Sequence, residues 1–464
     1  MKILIIGAGE TGFYIASEFS EDNFKVTVID ESPDQLKVIQ RSLNVAGILG
    51  NGTSLSVLES AGIDSTDLLI ASTDHDETNL ICCLLANHYN VKHKIAVTKT
   101  DSFMKKRVIS QYIKSGISQI INSTIVTAQE IIATASLAAA TEVSAFGEEN
   151  VLLVGCHIKK DTPWEGLYLK DIRQNDEKNQ FLIASIVRKG QSYIPKGQDR
   201  IIQGDYVYIL IPHNQAEELN TLLNVRISPN RKAVIAGESL IAERVASGLL
   251  RSHYTVTMIC RDEFSARKLE KKFSHRKDFQ VIHGPAEEVK LQIKADVAVS
   301  SLFIAATNDD HLNIESGVVA RYLGAGKVIC LINRQDLIQP AASVDLDVVI
   351  SPRLITARQV KKLIQGREES LNYTTISETN MEVLEMVTSK DSRILNKPIK
   401  EINLPHNSLV GALIKGKNKV IIPTGETVIE AGDKVIMVTV PEGVPKLREI
   451  LEGQSGKRPL AKNI

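Results

Sequence analysis

The chain has 464 residues, 43% of them hydrophobic and 5% aromatic, with 55 Lys+Arg against 55 Asp+Glu. Its length suggests roughly three to four domains, and its composition excludes a disordered chain, a collagen and a coiled coil. A formal net charge of zero argues against an extended nucleic-acid surface, which carries a basic excess.

The five cysteines, at 82, 83, 156, 260 and 330, form no C-x-x-C pair. A disulfide framework or a zinc knuckle is therefore not expected, and neither is a metal site. A membrane span needs about 18 or more apolar residues. The best stretch, Ile125 to Ala140, is interrupted by Thr127, Gln129, Glu130, Thr134 and Ser136. The N-terminal apolar run is too short for a signal peptide and leads into a glycine turn. The expectation is a chain that stays outside the bilayer.

In chain order, short apolar β-branched runs predict strands at Ile3–Ile6, Val26–Ile29, Ala46–Leu49, Leu68–Ser72 and Ile95–Thr98. Helical patterns such as Thr11–Phe19 and Asp34–Ser42 lie between them. This alternation predicts a doubly wound parallel sheet. A helix near Thr124–Ala140 leads into a smaller β-rich part, with boundaries expected around Glu142–Asn150 and Ser228–Arg231 and a frayed end at Gly453–Ile464.

The chain then repeats itself. Residues 194–207, IPKGQDRIIQGDYV, and 422–435, IPTGETVIEAGDKV, share I-P-x-G-x-x-x-I-x-x-G-D-x-V without a gap, at an offset of 228. ASTDHDETNL (71–80) returns as AATNDDHLNI (305–314). The fold expected is therefore α/β: two tandem Rossmann-like doubly wound parallel sheets, each followed by a small β-rich α+β domain. The domain ranges are 1–123, 143–226, 231–352 and 372–453.

Gly7-Ala8-Gly9-Glu10-Thr11-Gly12 is a G-x-G-x-x-G that follows a strand and opens a helix. Gly7 permits the turn, Gly9 lets a pyrophosphate approach the backbone, and Gly12 lets the helix pack on the strand. Asp30, 18 residues after Gly12, stands where a carboxylate meets the adenosine ribose hydroxyls. Glu31 beside it repels a 2′-phosphate, favouring NAD(H) over NADP(H). Gly52 and Thr53, after the third strand, either lie beside an adenine or form an ordinary turn with Thr53 capping a helix. Thr73 and Asp74 either overhang the crevice at the strand ends or belong to a capping box running from Asp74 to Glu77. Lys99 ends the fifth strand, within reach of a phosphate or of solvent.

With a one-residue deletion, the second half sets Ala236, Glu238 and Ile241 opposite Gly7, Gly9 and Gly12, and Cys260 followed by Arg261 opposite Asp30. Weak or absent NAD binding is expected there, although Gly237, Ser239 and Arg261 leave room for a different nucleotide. A catalytic constellation is missing from the sequence: Cys156 and His157 are neighbours on a strand and face opposite ways, Cys82 and Cys83 read as buried helix residues, and no G-x-S-x-G, H-E-x-x-H or Walker A motif occurs.

The duplicated order of GAGETG with Asp30, ASTDHDETN and the Pro-Gly-Gly-Asp skeleton resembles the tandem RCK-domain (regulator of potassium conductance) family of Trk potassium-uptake regulators, over nearly the whole chain up to about Leu451. The resemblance implies a regulatory subunit and not an enzyme. It implies NAD(H), with ATP or ADP as further candidates, held at Gly7, Ala8, Gly9, Glu10, Thr11, Asp30, Thr73 and Asp74; Lys99 stands where many relatives carry Arg. It also implies a homo-oligomeric ring, expected as a tetramer, peripheral on the cytoplasmic face of the membrane beneath a potassium-translocating subunit, with no nucleic-acid partner. The helix Ile125–Ala140 is either the packed element between neighbouring lobes or an intrachain core helix. Two other classes remain open: an NAD-dependent oxidoreductase, and a regulatory subunit of another cation channel or transporter.

Overall fold

The computed structural model describes residues 1–20, 24–160, 162–175, 180–225, 230–344, 346–369, 372–375, 379, 381–416 and 419–452. These form two compact units, Met1–Ile132 with Ser228–Leu363 and Ala133–Ile227 with Ile364–Ile464. The chain therefore passes through each unit twice, once per repeat.

In the first unit, strands β1 (Lys2–Ile6), β2 (Lys25–Asp30), β3 (Ala46–Leu49), β4 (Leu68–Ala71), β5 (His93–Thr98) and β6 (Gln119–Asn122) build a parallel sheet ordered β3-β2-β1-β4-β5-β6. Helices α1 (Glu10–Ser20), α2 (Pro33–Ser42), α3 (Leu55–Ser60), α4 (Asp76–His88), α5 (Lys106–Lys114) and α6 (Ser123–Ser136) connect or follow them. The central strands are apolar along their length because helices cover both faces; every residue of β4 is buried. The strand order reverses between β1 and β4, which opens a crevice at their carboxyl ends. Periodicity gives no warning of β6, whose single apolar pair, Ile120-Ile121, sits between Gln119 and Asn122.

Two latches hold those carboxyl ends. The side chain of Asn79, fully buried on α4, accepts from the Thr73 N–H at 2.9 Å and the Thr73 hydroxyl at 2.7 Å, and donates to the Thr73 and Val97 carbonyls. The carboxylate of Asp76 accepts from the Lys99 and Thr100 N–H groups, both at 2.9 Å. Buried polar groups need such partners, and here most of them are backbone groups that shape the crevice.

The second copy repeats this design with Lys232–Ala236, Thr255–Cys260, Phe279–His283, Leu302–Ala305, Val328–Leu331 and Val348–Ile350, in the same sheet order. Its latches are Asn313, bonded to Thr307 and Leu331, and Asp310, bonded to the Asn333 and Arg334 N–H groups. The recurrence of ASTDHDETNL is thus explained by hydrogen bonding. The capping box, one of the two readings for Asp74 and Glu77, does not form: α4 starts at Asp76, His75 stands at the N-cap without a side-chain bond, and Asp74 turns instead to Lys99. In the second copy Asp309 occupies the N-cap position and its carboxylate accepts from His311 and Leu312.

Helix α6 ends at Ser136, four residues short of the expected bound, and a turn from Leu137 to Ala140 feeds the next strand. Its Ile131 is fully buried, and its Ile132 lies where a Cβ on Gly248 of the second copy would stand 2.2 Å from the Ile132 Cδ1. The helix packs between the two α/β copies of one chain.

The second unit holds two antiparallel sheets. One orders Gln191–Tyr193, Leu182–Arg188, Tyr206–Pro212, Val151–His157 and Glu142–Phe146; the other orders Asn372–Thr375, Glu382–Val387, Lys434–Thr439, Ser408–Lys415 and Lys419–Ile421. The stretch read as a linker, Glu142–Asn150, thus begins with a strand paired to Val151–Gly155. Ser228 and Pro229 at the other boundary, and the tail Gly453–Ile464, lie outside the described residues. Phe146, Leu153, Tyr208 and Leu210 of one sheet share a core with Met381, Val383, Ile414 and Ile436 of the other.

The repeated Gly-Asp turn has a defined task. Gly204 and Gly432 sit at φ +87° and +88°, in the left-handed region that glycine favours. The Asp205 and Asp433 carboxylates that follow accept the N–H three residues back, from Ile202 and Glu430, at 2.9 Å. Asp205 is fully buried and also takes both Nε (2.7 Å) and Nη2 (2.8 Å) of Arg188.

Two outcomes follow. Asp205→Ala, which strands the half-buried Arg188, should cost about 3 kcal/mol or more of stability in the small-domain unit, read by denaturant unfolding. Asn79→Ala should cost about 1–3 kcal/mol by orphaning the Thr73 and Val97 carbonyls, with Asn313→Ala giving a loss of the same order in the other copy.

Candidate functional site

A cleft of about 1050 Å³ opens at the carboxyl ends of β1, β2 and β4 and receives residues from both α/β copies. From the first copy it is lined by Gly7, Gly9, Glu10, Thr11, Asp30, Gly52, Thr73, Asp74 and Lys99, among others. From the second come Ser239, Leu240, Ile241, Asn308, Asn333, Pro352, Arg353 and Thr356. The structure therefore gathers nine of the twelve residues singled out from the sequence around one space.

The other three lie just behind it. Ala8 is buried and its N–H donates to the Asp30 carboxylate at 2.6 Å. Gly12 is buried under the loop, where a Cβ would stand 1.9 Å from the Gly7 carbonyl oxygen. Thr53 donates from both N–H and hydroxyl to the Asn51 side chain, and Ser54 is the N-cap residue of α3, so Thr53 does not cap that helix.

Each glycine of the loop has a separate reason. Gly7 is at φ +104°, which only glycine adopts readily. Gly12 allows α1 to ride against the loop. Gly9 differs from both, because a Cβ there would meet nothing within 4 Å. Its backbone faces open cleft at the start of α1, where free N–H groups and the helix dipole favour an anion. Gly52 is required by packing: a Cβ there would stand 2.2 Å from the Ile6 Cγ2. That close approach, independent of any adenine, explains the residue.

Asp30 is braced as well as exposed to the cleft. One carboxylate oxygen accepts from Ala8 and the other from the Ser32 N–H at 2.7 Å. It ties the end of β2 to the loop after β1 and keeps lone pairs for a further donor. Glu31 beside it accepts from Asn51 Nδ2 at 2.8 Å. Lys99 Nζ lies 2.6 Å from Asp74 Oδ1, both side chains well exposed. On the far wall, Arg353 forms an ion pair with Glu10, and burial lowers the pKa of its guanidinium. Among the described lining residues, four carboxylates (Glu10, Asp30, Glu31, Asp74) face two permanent cations (Lys99, Arg353), and each cation is paired with one of them.

The second copy's loop requires a correction. Strand pairing aligns Lys232–Ala236 with β1, so Gly237 matches Gly7, and it has the same positive φ, +110°. Gly9 then corresponds to Ser239 and Gly12 to the fully buried Ala242, while Glu238 and Ile241 correspond to Ala8 and Thr11. No deletion exists, and Ile241 does not obstruct the helix. What the second loop has lost is the open backbone: the Ser239 hydroxyl donates to the Ala306 carbonyl at 2.6 Å and accepts from Ala242 N. The carboxylate has also changed sides. Cys260 stands in place of Asp30, and Glu238 on the loop accepts from the Arg261 N–H at 3.2 Å.

All five cysteines are free thiols and buried. Burial raises the Cys82, Cys260 and Cys330 thiols to about 12 and pushes the Cys83 thiol well above its ordinary value. Cys156 is buried and His157 exposed on opposite faces of one strand, as alternation requires. No group of three or more metal-ligating side chains occurs among the described residues, and no helix among them is long and apolar enough to cross a membrane. The latch residues Asp76 and Asn79 and the cross-cleft Arg353 were not singled out from the sequence. The first two carried a signal, since both recur as Asp310 and Asn313 in the repeated segment. Arg353 carried none.

Comparison with known proteins agrees with this architecture. Sequence models of the TrkA-N domain match residues 3–123 and 233–352, and those of the TrkA-C domain match 155–224 and 383–452. The Trk system potassium uptake protein TrkA of Azorhizobium caulinodans is 26% identical over 456 residues, covering 97% of this chain and 98% of that protein. The protein of the same name from Halomonas elongata is 28% identical over 447 residues, covering 95% and 96%. Among solved structures, the GsuK RCK domain superposes with a TM-score of 0.61 at 18% identity, over 97% of this chain and 94% of that one. The GsuK channel bound to NAD gives 0.60 at 18%, over 97% and 78%. With both models matched twice, in alternation, the chain belongs to the family built from TrkA-N and TrkA-C domains.

Proposed function

We infer that the first copy binds NAD(H) and that the chain is a non-catalytic regulatory subunit of a Trk-type potassium uptake system. It acts as a tetrameric ring on the cytoplasmic face of a potassium-translocating membrane subunit. The observation that carries this reading is the bare backbone at Gly9, facing open space in a cleft that Asp30 also lines, beside the loop. Relatives named as Trk potassium uptake proteins, similar over 95–97% of this chain, support the transport role, and NAD in the similarly folded GsuK channel supports the ligand.

The residues present fit such a ligand. A side chain at Gly9 would fill space that is now open, and the loop Gly7 to Thr11 at the head of α1 offers N–H groups to a pyrophosphate. Asp30 accepts from ribose hydroxyls with its remaining lone pairs, and Glu31 disfavours a 2′-phosphate. Gly52 and Thr73 line the same cleft, with Thr53 next to Gly52, and Lys99 would leave Asp74 to meet a phosphate. The bound group supplies two phosphate charges and a nicotinamide whose charge differs between its redox states.

Occupancy shifts the protein between conformations only to the extent that they bind the nucleotide unequally. A coupling of about 1–3 kcal/mol changes transport activity roughly 5- to 150-fold.

Nucleotide titration by calorimetry, followed by potassium flux with the membrane subunit, tests the reading. Steady NADH consumption with a small substrate would contradict it. Gly9→Glu should abolish NAD binding while leaving the unfolding midpoint near that of the parent, since its Cβ meets no atom; undiminished affinity would disprove the site. Asp30→Ala should weaken NAD binding and, by releasing Ala8 and Ser32, also cost about 1–3 kcal/mol of stability in denaturant unfolding.

A further inference from the structure

Glu10 and Arg353 are separated by 343 positions, yet they meet across the cleft. Glu10 directly follows Gly9 and opens α1, and Arg353 opens the helix Pro352–Glu369 of the second copy. The guanidinium therefore lies beside the loop that offers its backbone to a diphosphate. It is about two-thirds buried and is held by the carboxylate of a residue that itself belongs to the phosphate loop.

The repeat supplies a control within the molecule. Strand pairing makes Leu240 the counterpart of Glu10 and Thr124 the counterpart of Arg353. At the reciprocal place, the second copy's loop thus faces a threonine and carries a leucine. The cation from across the cleft is present on the side where Gly9 and Asp30 are intact, and missing on the side where Ser239 and Cys260 have replaced them. A charge pair that served only to hold the copies together would have no reason to follow the glycine loop. A purely structural pair does exist on the same two helices: Lys361 and Glu18 at 3.1 Å, whose counterparts are Ile132 and Gly248 in apolar contact.

We propose that Arg353 of the second copy is a ligand for the diphosphate of the nucleotide held by the first copy, and that Glu10 is the internal anion it replaces. The inference rests on the dinucleotide reading above. Phosphate oxygens offer a guanidinium the same paired acceptors as a carboxylate, with more charge. A bound diphosphate next to Gly9 also repels Glu10, so one event removes the old partner and supplies the new one. The second copy, whose own loop is closed by Ser239, then reads the occupancy of the first through its helix Pro352–Glu369.

Calorimetric titration of the full-length chain with NAD⁺ tests this. Arg353→Gln should weaken binding about tenfold or more, the scale of one charge-assisted hydrogen bond. Arg353→Lys should recover part of that loss, and Glu10→Gln should bind more tightly than the parent because the competing carboxylate is gone. Lys361→Gln breaks a second ion pair on the same helix without facing the cleft and should leave affinity unchanged. Parental affinity in Arg353→Gln would overturn the proposal, as would an equal loss in Lys361→Gln, which would assign the effect to packing between the copies. No binding by the parent chain would overturn the dinucleotide reading and this inference with it.

Discussion

The cleft keeps its form because α1 can ride directly against the Gly7 carbonyl, where Gly12 leaves no room for a Cβ. That close approach places the start of the helix beneath the loop and leaves the backbone at Gly9 facing open space. Everything else at this end of the sheet braces the same geometry. Asp30 ties the loop to β2 through Ala8, Asn79 ties β4 to β5 through Thr73 and Val97, and Asp76 holds the chain at Lys99 and Thr100. Buried side chains that bond to backbone fix it more firmly than apolar packing alone, because an orphaned backbone group costs a full desolvation penalty.

Duplication has let the two copies diverge where ligand chemistry is concerned while preserving the bracing. Asn313 and Asp310 repeat the latches bond for bond, and Gly237 repeats the turn of Gly7. Three changes fall at the loop and at the end of the strand beside it: Ser239 for Gly9, Cys260 for Asp30, Leu240 for Glu10. A fold that needs both sheets to stand keeps its scaffold residues in both. In the second copy the corresponding loop contributes Ser239, Leu240 and Ile241 to the lining of the first copy's cleft.

In the small-domain unit the same economy appears in the Gly-Asp turns. Gly204 and Gly432 supply a backbone shape, and Asp205 and Asp433 close it by accepting the N–H three residues back. The repeated skeleton in the sequence is therefore the outline of a hydrogen-bonded turn, and the two sheets whose middle strands it leads into share one apolar core.

The sequence by itself determined the duplication, the parallel α/β class, the glycine loop with Asp30 and the Gly-Asp turns, because each is written in local spacing or in a period that recurs. It misjudged the second loop by one residue, since similarity of letters does not fix register and strand pairing does: Ala233 lies beside Val256 and Leu302, which leaves Gly237 no place but the turn. It also missed β6, which two apolar residues mark too faintly. Only the tertiary structure decided that Gly52 answers to Ile6, that Asp74 pairs with Lys99 instead of capping α4, and that Arg353 reaches Glu10. Those contacts join positions tens to hundreds of residues apart, and no pattern along the chain encodes a meeting that depends on how two sheets close on one cleft.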